Sequence, residues 1–152
     1  MSTRSIIAKK TNEGFTGTYH HWDGYPSGVG RLVAKGFKVG GWEYLNNIVK
    51  HNWASLYKNE CYCCGTMPDG RREKVHSYTH EADCGAEFAY VFEHDKKKEA
   101  DYMHIYQKKD KKGRHVVEYF VMTSDKGEWS ISKTIDLSLP LPNFEKLQES
   151  LW

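Results

Sequence analysis

Glu87-Phe88-Ala89-Tyr90-Val91-Phe92-Glu93 reads as a β-strand. Aromatic and β-branched residues dominate between its two glutamates, a composition that suits a pleated, half-buried surface. Three runs of the same kind follow, at residues 102–107, 116–123 and 129–136. Their connections are short and polar, and Ser124-Asp125-Lys126-Gly127 carries hairpin chemistry. Together the four runs predict an antiparallel meander.

Nearer the N-terminus, Ser5-Ile6-Ile7-Ala8-Lys9 reads as a further strand. Thr11-Asn12-Glu13-Gly14 supplies turn residues after it, and residues 15–21 form the returning strand of a hairpin. Arg31-Leu32-Val33-Ala34-Lys35 reads as a helix start, with Gly36 placed to end or weaken it. Gly40-Gly41 separates a second helix over residues 42–57. Its apolar positions, Trp42, Leu45, Ile48, Val49, Trp53 and Leu56, recur at three and four and so share one face. Leu139-Pro140-Leu141-Pro142 breaks the pattern, and Asn143 caps a last helix running to residue 152. The expected class is α+β: an antiparallel sheet, made of the N-terminal hairpin and the meander, with helices packed on one face. The whole chain, 1–152, reads as a single domain with an irregular Cys-rich insert at about 59–85.

The composition narrows the function. The chain has 152 residues, 21 of them aromatic, which argues against disorder. Lys and Arg number 22 against 20 acidic residues, so the formal charge is only +2. That balance gives no strong nucleic-acid signal. Lys96-Lys97-Lys98 and the run from Lys108 to Arg114 read as solvated loop tips at opposite ends of one strand. No apolar run approaches the ~20 residues of a membrane span. The first ten residues lack the apolar core of a signal peptide. A cytoplasmic protein with no membrane partner is expected, its cysteines reduced or metal-bound.

All four cysteines fall in the insert. Cys61 and Cys64 have the two-residue gap that lets two thiolates reach one Zn2+, and His80 and Cys84 are four apart. A structural zinc held by Cys61, Cys64, His80 and Cys84 is one reading, and it would give an irregular segment its order. Reduced, packed cysteines are the other main reading. A redox role or a Cys nucleophile paired with His76 or His80 is a third.

The richest stretch chemically is Tyr19-His20-His21-Trp22-Asp23-Gly24-Tyr25-Pro26-Ser27-Gly28-Val29-Gly30-Arg31. Three Gly and a Pro within seven residues read as irregular backbone between a strand and a helix start. Backbone N–H groups at a helix start bind anions. Gly28 and Gly30 would let a phosphate approach, with Ser27 beside them, and Arg31 would grip it bidentately. Tyr19, His20, His21, Trp22 and Tyr25 offer stacking faces, and Asp23 an acceptor for a ribose hydroxyl or an amine. The spacing matches neither a Walker A loop nor the dinucleotide fingerprint. A tight structural turn plugged by Trp22 and Tyr25 is the competing reading, and acid–base catalysis by His20 or His21 the third.

Thr3-Arg4-Ser5, followed by His21-Trp22-Asp23-Gly24-Tyr25 and a Gly-containing helix start, resembles a family of small uncharacterised phage and prophage proteins. Those begin with a Thr-Arg-Ser-Thr-Ile-like strand and carry a Cys-His-Trp-Asp-Gly-Tyr motif and a Gly-Lys helix start. The likeness covers about the first 35 residues. Here His20 stands where Cys is usual and Arg31 near the usual Lys, and the Cys-rich insert is an addition. The resemblance implies an anti-defence role in the host cytoplasm. By analogy with sponges that sequester immune signals, the expected function is capture of a cyclic nucleotide or ADP-ribose derivative without cleavage, by a homo-oligomer. Arg4 would add a second phosphate contact. The alternatives are a protein-binding inhibitor of a host defence complex and a His-dependent nucleotide hydrolase or lyase.

Overall fold

The computed structural model describes residues 3–115 and 127–151. The chain forms β1 (Ser5–Lys10) and β2 (Phe15–His20), then a π-helical stretch, Pro26–Gly30, that leads directly into α1 (Arg31–Ile48). Three short strands come next: β3 (Trp53–Ser55), β4 (Glu60–Cys61) and β5 (Tyr78–Thr79). The long strands β6 (Phe88–Asp95), β7 (Ala100–Lys109) and β8 (Glu128–Asp136) follow, and α2 (Phe144–Ser150) closes the described chain. The expected strand at residues 116–123 lies outside the described residues.

The α+β class holds, but the sheet is mixed rather than antiparallel throughout. Its order is β4-β3-β2-β1-β6-β7-β8, with β5 paired to β2. Hairpin neighbours such as β1–β2 and β6–β7 are antiparallel, whereas β1–β6 and β2–β3 are parallel. A parallel pair needs a long crossover, and hairpin signals reveal only pairing between neighbours in sequence. The crossover between β2 and β3 is α1 itself. β1 takes an inner position because Ser5, Ile6, Ile7 and Ala8 are all completely buried. A strand buried on both faces reads as a continuous run rather than an alternation.

Strand alternation sorts the core into two clusters. Phe88, Tyr90 and Phe92 of β6 join Met103 and Ile105 of β7, Val33, Phe37 and Leu45 of α1, and Phe144 and Leu147 of α2. Phe37 stacks on Phe92 with ring centroids 4.9 Å apart. The intervening Ala89 and Val91 belong to a smaller cluster with Ile6, Ala8, Phe15 and Tyr106.

The helices depart from expectation in three places. The Gly-rich stretch, read as irregular, is helical from Pro26, because proline is well tolerated at a first helical position. Gly36 does not end α1. A Cβ there would come within 2.0 Å of the Tyr44 ring, so this glycine serves close packing. The break comes at Gly41, as the Gly40-Gly41 pair predicts, with φ 60° and ψ −149°, a conformation essentially restricted to glycine. Gly41→Ala is therefore expected to lower stability by about 1–3 kcal/mol, read as a shift of the urea midpoint.

The second helix also stops early. Trp53 and Leu56 do not continue its face, because Trp53 begins β3. The edge of β2 competes for this backbone: the His21 and Trp22 N–H groups donate to the Trp53 and Ala54 carbonyls, both at 3.0 Å. The Trp53 indole donates to the Ile48 carbonyl at 3.0 Å, satisfying one acceptor that the helix end leaves open. At α2, Asn143 caps as its sequence suggests, accepting from the Glu145 and Lys146 N–H groups at 3.1 Å each. Lys108, read as part of a solvated loop, is buried. Its ammonium pairs with Asp83 at 2.8 Å and lies 5.1 Å from the Trp129 ring.

Among the described residues, no helix is long and apolar enough to cross a membrane.

Candidate functional site

β2 and β3 run parallel, and both end at one pocket of about 360 Å³. Its walls come from three places. His20 ends β2, and the segment from Trp22 to Arg31 follows it. Leu32 and Lys35 lie on the first turns of α1, and Ser55 and Tyr57 end β3 and the turn after it. Ligands in sheets with parallel strands characteristically sit outside the carboxyl ends of those strands.

Period-two alternation divides the predicted residues. His20 faces the pocket, while Tyr19 belongs to the opposite face of β2. The Tyr19 hydroxyl meets His21 Nδ1 at 2.6 Å, and its ring lies 5.6 Å from Tyr78. Arg4 belongs with this second group. Its charge lowers the pKa of His21, after the larger effect of burial, and its guanidinium reaches the Cys84 carbonyl at 3.5 Å. Tyr19, His21 and Arg4 are therefore absent from the pocket walls. Trp22, Asp23, Tyr25, Ser27, Gly28 and Arg31 are present in them.

The glycines serve packing at the helix start. A Cβ on Gly28 would fall 2.2 Å from the Asp23 carbonyl oxygen, and one on Gly30 would fall 2.8 Å from the Tyr90 ring. The N–H groups expected to cradle phosphate are already engaged. Gly28 donates to the Tyr25 carbonyl and Val29 to the Asp23 carbonyl, each at 2.9 Å, and Ser27 donates to Gln148 Oε1 at 2.8 Å. Any anion here would be gripped by side chains. Arg31 makes one exposed 3.5 Å contact with Glu145, a kind of pair that contributes about 0–1 kcal/mol. Lys35 lies one turn further along α1 on the same side. That spacing of four was legible in the sequence. The part played by Ser55 and Tyr57 was not, because it depends on β3 joining β2.

His20 is 2% exposed, and its Nε2 accepts the Leu56 N–H at 2.9 Å. Burial pulls its pKa down to about 4, with nearby Asp23 opposing and His21 adding to the effect. The ring is neutral near pH 7, and its lone pair is committed to a backbone donor. Tyr25 donates to Asp23 Oδ1 at 3.2 Å. Burial, then the Asp23 charge, raises its phenol pKa. Trp22 is 45% exposed and Tyr57 85%, so both present open ring faces.

The cysteine segment forms a second cluster. Cys61, Cys63, Cys64 and His51 each bring one ligand atom, and all four atoms lie within 4.8 Å of one another. The grouping is compatible with a structural zinc. It holds Cys61 and Cys64 from the expected set. His51 and Cys63 replace His80 and Cys84, which lie beside a separate cavity of about 710 Å³ near Asp83, Lys108 and Trp129. There His80 Nδ1 accepts the Phe15 N–H at 3.2 Å. Cys63 lies between Cys61 and Cys64 in the chain, but His51 follows α1 and reaches the cluster only through the tertiary fold. Burial and hydrogen bonds with Cys61 and Cys64 push the Cys63 thiol up to about 12. Burial raises Cys61 as well, but hydrogen bonds from Cys63 and Cys64 outweigh it and bring that thiol below its ordinary range.

Comparison with protein-family models, curated proteins and solved structures finds no match to this chain.

Proposed function

We propose that the pocket at the ends of β2 and β3 binds a nucleotide-type anion and holds it without cleaving it. The observation that carries this reading is the meeting of aromatic faces and cations in one cavity where two parallel strands end. Trp22, Tyr25 and Tyr57 would stack on a base, and Arg31 and Lys35 would hold phosphate. The volume suits a small ligand. Retention without turnover is supported by His20, whose lone pair is bound to the Leu56 N–H, and by His21, which points to the other face. The likeness to phage proteins extends the reading to a phage-encoded protein capturing a nucleotide immune signal, a cyclic nucleotide or an ADP-ribose derivative, in the host cytoplasm. A homo-oligomer would cover the exposed Trp22 and Tyr57 rings. A structural zinc in the cysteine segment would serve the same site, since the β3–β4 hairpin carries both Cys61 and the Ser55 wall. The exposure of Trp22 and Tyr57 also favours one second reading, a protein-binding inhibitor that uses them as interface anchors.

The test incubates the purified chain with NAD, ADP-ribose, cyclic ADP-ribose isomers and cyclic dinucleotides, then denatures the bound fraction and chromatographs it. Recovery of an intact ligand is the expected result, and recovery of a product would replace capture with catalysis. Retention of nothing on the panel would remove the nucleotide reading and leave the protein-binding one. Arg31→Ala is expected to weaken binding about 10- to 100-fold, the loss of one charged hydrogen-bond partner. Trp22→Ala is expected to lose a stacking contact of about 1–3 kcal/mol.

A further inference from the structure

We infer that His51, Cys61, Cys63 and Cys64 together form one tetrahedral zinc site, with His51 binding through Nδ1. Four short contacts close the set. His51 Nδ1 lies 3.1 Å from Cys63 Sγ and 3.2 Å from Cys64 Sγ. Cys63 Sγ lies 2.9 Å from Cys61 Sγ and 3.5 Å from Cys64 Sγ. A tetrahedral ion with bonds of about 2.3 Å to sulfur and about 2.0–2.1 Å to nitrogen spaces its ligand atoms about 3.5–3.8 Å apart. These four contacts lie at or inside that spacing, and every separation in the set stays within 4.8 Å, so side-chain adjustment would bring the atoms onto it. Three sulfurs with one imidazole nitrogen form a donor set that suits zinc better than a hard cation. A disulfide would use two sulfurs and leave the converging imidazole unexplained.

The surroundings hold the ligands in place from independent elements. The Cys63 N–H donates to Cys61 Sγ at 3.3 Å, a contact that favours the thiolate. Thr66 Oγ1 accepts the Cys61 N–H at 2.6 Å and so closes the loop after β4. The His51 ring packs at a steep angle to the Trp53 ring, centroids 5.6 Å apart, and the His51 carbonyl accepts from the Thr18 hydroxyl. Asn52, next to His51, is 5% exposed. It exchanges two hydrogen bonds with the backbone of His76, at 2.8 and 2.9 Å, and its carbonyl accepts the Tyr62 N–H at 2.9 Å. The ligands thus join the end of α1 to the β3–β4 hairpin. Beyond Cys64, the chain to residue 77 has no helix or strand of its own, a setting in which a metal supplies order. Binding would release a proton from each of the three thiols to solvent, and the histidine would bind neutral.

The test uses the full chain, purified under reducing conditions, and zinc alone. Elemental analysis is expected to find about one zinc per chain. X-ray absorption at the zinc edge is expected to give three sulfur and one nitrogen neighbours, a result that needs no variant. Cys63→Ser and His51→Ala are expected to lower the retained zinc, and Cys84→Ser and His80→Ala to leave it at the wild-type level. Two sulfurs with two nitrogens, or zinc lost on changing His80 or Cys84, would overturn this ligand set. So would a metal-free chain that fails to take up added zinc, or one whose mass shows a disulfide within residues 61–64. None of these readouts depends on nucleotide binding.

Discussion

Tyr90→Ala is expected to lower the unfolding free energy by about 3–5 kcal/mol, the range for truncating a buried aromatic side chain. Tyr90 is completely buried in the middle of β6, in the cluster shared with both helices. Its ring stacks with Phe88 at 6.4 Å and fills the space over Gly30, where no side chain would fit. Its hydroxyl donates to the Gly24 carbonyl at 2.6 Å, tying the pocket-forming turn to the centre of the sheet. Tyr90→Phe separates the two roles. It keeps the ring and leaves a buried carbonyl without its donor, which costs about 1–3 kcal/mol. Urea unfolding of both variants measures the two parts. A Phe variant as stable as wild type would show that the hydroxyl adds nothing to the anchoring of the turn.

The second large effect is a loss of stability on mild acidification, carried by His20. Its folded pKa of about 4 lies below the ordinary 6.5. Between those values the unfolded chain holds the extra proton, so acidification favours unfolding. The folded state is undisturbed by this group above about pH 6.5 and loses stability as pH falls toward 4. The expected loss is about 2 kcal/mol between pH 7 and pH 5, reaching about 3 kcal/mol at pH 4. His20→Gln keeps an acceptor for the Leu56 N–H and removes the titration. The measurement is the difference in unfolding free energy between wild type and His20→Gln, followed from pH 7 to pH 4. Groups that titrate in both proteins cancel in that difference. Among them are Glu87, whose carboxyl is raised chiefly by burial, and His115, which burial lowers. A difference that stays constant with pH would mean that His20 is not held neutral by its burial.

Parts of the candidate site were legible because they are local. Trp22, Asp23, Tyr25, Ser27, Gly28 and Arg31 follow one another along the chain, and they still line one cavity after folding. Adjacency along a strand does not make residues partners in one site. Tyr19 and His21 alternate with His20, and a pleated strand sends them to the other face. The phosphate cradle drawn from Gly28 and Gly30 met a different obstacle. The turn uses its own carbonyls, and Gln148 from α2, to satisfy the N–H groups it was expected to offer. The spacing of Cys61 and Cys64 marks the cysteine segment as a metal candidate, but the histidine that converges on it is His51, upstream, and not His80.

The α+β class, the strands at β1, β2, β6, β7 and β8, the Asn143 cap, and the concentration of ligating sulfur and of aromatic residues in two short segments are all legible in the sequence. Each of these follows from periodicity, propensity or turn chemistry within a window of a few residues. The tertiary structure alone decided that β1 lies between β2 and β6, that Trp53 leaves the helix to become β3, and that Ser55 and Tyr57 complete the pocket. It also decided that His51 joins Cys61, Cys63 and Cys64. These outcomes depend on which exposed backbone edge captures which distant strand, and on whether a helix end or a sheet edge better satisfies the same N–H and C=O groups. That competition is settled between segments far apart in the chain, where local pattern carries no information.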